Sequence, residues 1–77
     1  MDASAALQKI HDAWNNDVSY SDLYTMIIEW IALYKYYIPK YVAPEIKDTE
    51  SINEIVESFI YGEKWQLVRE YFKVNDV

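Results

Sequence analysis

Residues 20–41, YSDLYTMIIEWIALYKYYIPKY, hold six of the chain's eight tyrosines (Tyr20, Tyr24, Tyr34, Tyr36, Tyr37 and Tyr41) together with Trp30. Leu23, Ile27, Trp30, Tyr34 and Tyr37 recur every three or four positions and form one stripe, with Tyr24, Ile28, Ile31 and Ile38 in the adjacent one. Asp22, Thr25, Glu29, Ala32 and Tyr36 leave only a narrow polar seam, bordered by Met26 and Leu33. A helix that is apolar over most of its circumference belongs at the centre of a bundle. The spacing therefore predicts a long central helix over about 20–38, ended by Pro39, which biases Ile38 out of helical geometry. A chain of 77 residues rarely needs so much aromatic surface to close its own core, so this face is either well covered inside the bundle or partly reserved for a partner.

Upstream, Ala3, Leu7, Ile10 and Trp14 fall at helical spacing with Ala6 and Ala13 beside them. They predict a first helix over about 3–15, capped by Asp2. Asn15, Asn16 and Asp17 compete for backbone hydrogen bonds and stop it. Ser19 with Asp22 three residues on reads as a capping box for the central helix. Downstream, residues 39–50, PKYVAPEIKDTE, contain both prolines and no long period. They predict a connection over 39–51 with one helical turn after Pro44. Bundle helices are usually joined by about 2 to 8 residues, and long ordered loops are more often functional.

Ser51 with Glu54 gives a second capping box, and Ile52, Ile55, Val56, Phe59 and Ile60 predict a third helix over 52–61. Gly62, the only glycine, stands where a left-handed helix end would need one. Trp65, Val68 and Phe72, with Leu67 and Tyr71 beside them, predict a fourth helix over 63–73. Residues 74–77 have no pattern and are expected to fray. No repeat or sustained strand-like alternation is present. The expected architecture is all-α: a small antiparallel four-helix arrangement in one domain, residues 1–77.

The hydrophobic share of 52% and aromatic share of 17% exclude a disordered acidic tail. Without cysteine, helix packing must stabilise a domain small enough to bury only about 60% of its unfolded surface. A formal charge of -6 repels phosphate backbones and anionic membrane surfaces, so no direct nucleic-acid or membrane binding is expected. Glu29 and Lys35 break the apolar run below the roughly 18 residues of a membrane span. The first residues show neither a basic start nor an apolar run, so no secretory signal is expected and the protein is placed in the cytoplasm.

One histidine, one glycine, one arginine and no cysteine cannot build a thiol nucleophile, a histidine-pair metal site or a glycine-rich phosphate loop. No enzyme activity, cofactor or metal is expected, and no acidic run resembles a calcium loop with its glycine. His11, between Leu7 and Trp14, reads as a packing residue. A ligand pocket lined by Trp14, Trp30 and Trp65 ranks last, because a core this small has little room for a cavity of about 300 Å³ or more.

Binding chemistry remains. Glu45, Asp48, Glu50, Glu54, Glu57 and Glu63, against Lys47 alone, give residues 45–63 a net charge of -5 out of the total -6. They form either a solvated surface or a docking surface that steers a basic partner. Tyr24, Tyr34 and Tyr37 are expected to bury their rings. Tyr36, Tyr41 and Tyr61 fall on polar seams or in the connection, with Tyr20 a further candidate, and tyrosine beside carboxylate is a common interface combination. The leading expectation is a non-enzymatic inhibitor or neutralising partner covering a basic target, such as a nuclease or other nucleic-acid-handling protein. Toxin immunity proteins, antitoxins and phage-encoded inhibitors share this size and charge class. The Tyr36-Tyr37 pair before Pro39 resembles the tyrosine pair before a proline in the acidic helical immunity proteins of nuclease bacteriocins, a likeness confined to those few residues. The alternative expectation is a self-assembling structural or adaptor module, a two-fold homodimer joined through Met26, Leu33 and Tyr36.

Overall fold

The computed structural model describes residues 3–75, in which four helices follow one another: α1 Ala3–Asn15, α2 Tyr20–Tyr34, α3 Ile52–Tyr61 and α4 Glu63–Val74. No strand occurs among the described residues, so the fold is the expected small all-α four-helix arrangement. Asp2, read as a helix cap, and the end of the tail lie outside the described residues.

α1 buries Ala3, Leu7 and Ile10. It ends because Asp17 turns left-handed at φ 58°, which lets the Asp17 N–H reach the Trp14 carbonyl at 3.3 Å and the Val18 N–H reach Ala13 at 3.2 Å. This pair of bonds is a Schellman ending, with Val18 folded back onto the core. α2 starts as its capping residues dictate: the Ser19 hydroxyl accepts from the Asp22 N–H at 3.2 Å. Leu23, Ile27, Trp30 and Tyr34 of α2 are buried. Trp30 is the central joint. Its indole N–H donates to the Ala3 carbonyl at 3.1 Å, and its ring meets Tyr34, Trp65 and Phe72 at centroid distances of 5.2, 6.0 and 5.6 Å.

Trp30 near the end of α2 therefore touches the start of α1, while Trp14 near the end of α1 touches Tyr20 at the start of α2. The two helices run antiparallel. Tyr20 also reaches Glu57 of α3, and Tyr61 at the end of α3 meets Trp14 beside it, so the end of α3 lies at the start of α2 and the two run antiparallel as well.

α2 is shorter than its apolar pattern predicts. The helix stops at Tyr34, residues Lys35–Tyr37 form a 3₁₀ turn, and Ile38 is extended at φ -86° and ψ 121°. Pro39 forces Ile38 into that region, and the preceding turn tightens to meet it. A 3₁₀ turn advances about 120° per residue in place of about 100°, which carries Tyr37 off the buried stripe and leaves it 54% exposed. The expectation that Tyr37 buries its ring is thereby corrected.

Two further corrections concern the joins. The helical turn in the connection follows Pro39, not Pro44: the N–H groups of Val42 and Ala43 both reach the Pro39 carbonyl at 3.0 Å, using the helix-ready φ of proline. It buries Val42, and Ile46 further along packs against the core. Gly62 is extended, at φ -72° and ψ 142°, and not left-handed. Its need for glycine is steric, because a Cβ there would sit 2.4 Å from the Ser58 carbonyl oxygen, the acceptor of the Gly62 N–H at 2.7 Å. This single residue ends α3 and starts α4, bringing Phe59 and Trp65 to 4.8 Å.

α3 is fixed at its start by Ser51, whose hydroxyl accepts from the Glu54 N–H at 3.1 Å and donates to the Glu54 carboxylate at 3.3 Å. It buries Ile55, Val56 and Phe59, and α4 buries Trp65, Val68 and Phe72 while running one residue past its expected end. No helix among the described residues is long and apolar enough to cross a membrane.

Candidate interaction surface

The nine residues expected to meet a partner do not form one patch. At 1.5 Å per residue α2 is about 22 Å long, and the exposed tyrosines gather at its two ends. Beyond its C-terminal end, Tyr36 on the 3₁₀ turn is 84% exposed and Tyr41 on the turn after Pro39 is 76% exposed. The Lys35 ammonium lies 5.0 Å from the centre of the Tyr36 ring, a cation–π contact that offsets part of the exposure. Glu45 and Asp48 are exposed on the connection, and Glu50 is half-buried with its N–H on the Lys47 carbonyl. Glu54 is exposed but tethered to Ser51.

At the opposite end stand Tyr61, Glu57 and Glu63. Tyr61 is 73% exposed and meets Trp14 edge-on, with centroids 6.1 Å apart and planes at 89°. The Trp14 ring also faces Tyr20 at 5.4 Å and 44°. The Tyr20 hydroxyl donates to the exposed Glu57 carboxylate at 3.3 Å. Partial burial first, then the Glu57 charge and Tyr61, raise the Tyr20 phenol above its ordinary pKa. Beside these rings opens a cleft of about 480 Å³ lined by Trp14, Asn15, Asp17, Val18 and Tyr20. Glu63 borders a neighbouring groove with Tyr61 and Arg69.

Trp14 and Asp17 are additions to the sequence reading. Periodicity assigns Trp14 to the core stripe with Ile10, yet α1 ends one residue later and its ring is only half-buried. The visible signal was the acid after two asparagines; the proximity of Tyr61, 47 positions away, has no local signature. The three tryptophans share no pocket: Trp30 and Trp65 pack edge-on in the core, whereas Trp14 stands with Tyr20 and Tyr61.

His11 joins α1 to α4. The Arg69 guanidinium donates to His11 Nε2 at 2.5 Å and to the Phe59 carbonyl at 3.4 Å, with its other nitrogen on Gln66. Accepting at Nε2 requires a neutral imidazole with its proton on Nδ1. Burial, followed by the Arg69 charge, pushes the His11 pKa below its usual value, with Asp12 opposing. The contact is structural, since its donors and acceptors are turned toward one another beside the Phe59 ring at 5.3 Å. Among the described residues no three histidine or carboxylate side chains converge as metal ligands would.

Comparison of the chain with protein-family models, curated proteins and solved structures gives no match.

Proposed function

We propose that this chain is a non-enzymatic binding protein that covers a basic surface on another protein, acting as an inhibitor or neutralising partner. The observation that carries this reading is the exposure of Tyr36 and Tyr41 just before, and Tyr61 within, residues 45–63, whose six acids and one lysine give a net charge of -5. Exposed tyrosines supply rigid contact area with little rotamer entropy to lose, and they are enriched where interfaces concentrate their binding energy. Carboxylates at this density repel one another, so they weaken the fold unless they meet cations, and they accelerate encounter with a basic target. Proteins that handle nucleic acids present such surfaces, because phosphate binding depends on lysine and arginine. A nuclease held by a cytoplasmic immunity protein, antitoxin or phage inhibitor is the class of pairing this chemistry suits.

The test is titration against a panel of basic nucleases at low and high salt. A complex at low ionic strength that weakens as salt rises supports the reading, and Tyr36→Ala with Tyr41→Ala should weaken it without loss of fold. Absence of any complex at low salt rejects it. A second reading, a homodimer, draws on Leu33, which is 58% exposed near Tyr36 on α2. Its mark is a hydrodynamic size that falls on dilution; a concentration-independent size removes it.

A further inference from the structure

We infer that the cleft lined by Trp14, Tyr20 and Asp17 seats an arginine side chain of the basic partner. This rests on the proposed function and names the anchor within it.

The rings come first. A guanidinium binds over an aromatic face within about 6 Å of its centroid, tryptophan giving the strongest face. Trp14 and Tyr20 touch at a centroid distance of 5.4 Å, tilted by 44°, and both line the cleft, so a guanidinium there lies against the pair of rings and not between them. At about 480 Å³ the opening lies within the roughly 300–1,000 Å³ of single-ligand sites. Both rings are held in advance, Tyr20 through its hydroxyl on Glu57 and Trp14 by the edge contact with Tyr61. Rings already ordered lose less entropy when a ligand arrives.

The charge comes second. Asp17 lines the same cleft and offers a carboxylate, whose geometry matches the planar fork of arginine. α1 ends there, adding the negative pole of a helix with no basic residue in its last turn. The chain's only arginine does not serve the site, since Arg69 is engaged with His11, Gln66 and Phe59.

Asp17 itself is the third observation. It takes the left-handed conformation that glycine, asparagine and aspartate adopt most readily, but it places an acid at the pole of the helix that repels one. The second of these works against folding. Residues that break local rules in this way concentrate where a binding task retains them. Here the residue that breaks them is the one that completes an aromatic cleft with a cation acceptor.

The experiment adds capped tetra-arginine, and separately capped tetra-lysine, to the protein at low salt while aromatic and backbone NMR resonances are followed. Saturable shifts of the Trp14 and Tyr20 rings and of the Asp17 amide are expected with tetra-arginine, and weaker ones with tetra-lysine. Asp17→Asn, which tolerates the left-handed backbone, should keep the spectrum of the core and lower the affinity about tenfold. Unchanged affinity of that variant, or equal binding of the two peptides, overturns the inference. Shifts confined to Tyr36 and Tyr41 overturn it while leaving the basic-partner reading in place. Failure of that broader reading shows separately, as absence of any nuclease complex at low salt.

Discussion

The two ends of α2 carry the same residue type in opposite states. At its start, Tyr20 is tied to Glu57 and faces Trp14, which Tyr61 braces from the side. Past its end, Tyr36, Tyr37 and Tyr41 stand in solvent around a 3₁₀ turn, Tyr36 with only a lysine over its ring. The difference arises from what stops each neighbouring helix. A left-handed Asp17 folds the chain back so that three helices supply rings to one place, whereas Pro39 unwinds α2 and rotates its aromatics outward. Identical side chains thus become a prepared cleft at one end and a set of exposed rings at the other.

Trp30 ties the second half of α2 to α1 and α4, and its loss should have the largest effect. Trp30→Ala is expected to cost about 3–5 kcal/mol, read as a drop in the urea midpoint. Near-neutral stability would show that α1 docks on α2 without the bond to Ala3. Gly62→Ala attacks the prepared end only, through the Ser58 carbonyl that its Cβ would strike. Overpacking of this kind costs about 1–3 kcal/mol and should shift the Tyr61 resonances more than those of Tyr36. If the two tyrosines respond equally, the hinge does not position the cleft.

Asp17→Gly should raise stability by about 0.5–1 kcal/mol, from relief of the left-handed strain and of the acid at the helix pole. A loss on denaturant titration would mean that the aspartate stabilises its own turn. The smallest effect concerns pH. With its pKa lowered in the fold, His11 binds fewer protons when folded than when unfolded, so its contribution is complete above the ordinary histidine value of 6.5. It is lost as pH falls below that value through the folded pKa. Urea midpoints measured between about pH 7.5 and 5.5 should decline in the wild type and decline less in His11→Gln.

Much of the fold was legible because its signals are local. Ser51 and Gly62 bracket α3, Ser19 starts α2, and the stripes of Leu7 and Ile10 or Val68 and Phe72 point inward as their spacing requires. The end of α2 was misjudged because periodicity continues through Tyr37 while Pro39 acts backwards by four residues. Gly62 was correctly singled out for the wrong physical reason, since a close approach to Ser58 is invisible without coordinates. The exposed tyrosines and acids could be named from their seams. Their division between two ends follows from the antiparallel packing of α3 on α2, which brings Glu57 to Tyr20, 37 positions away.

The partition of the tryptophans gives the molecule an optical handle of its own. Trp30 and Trp65 are sealed in the core, while Trp14 is half-open beside Asp17. Collisional quenchers will therefore dim mainly one of three emitters, and the local negative potential will favour caesium over iodide once each is scaled to its quenching of free indole. The ratio of the two quenching constants reads the electrostatic state of that corner in the unlabelled protein.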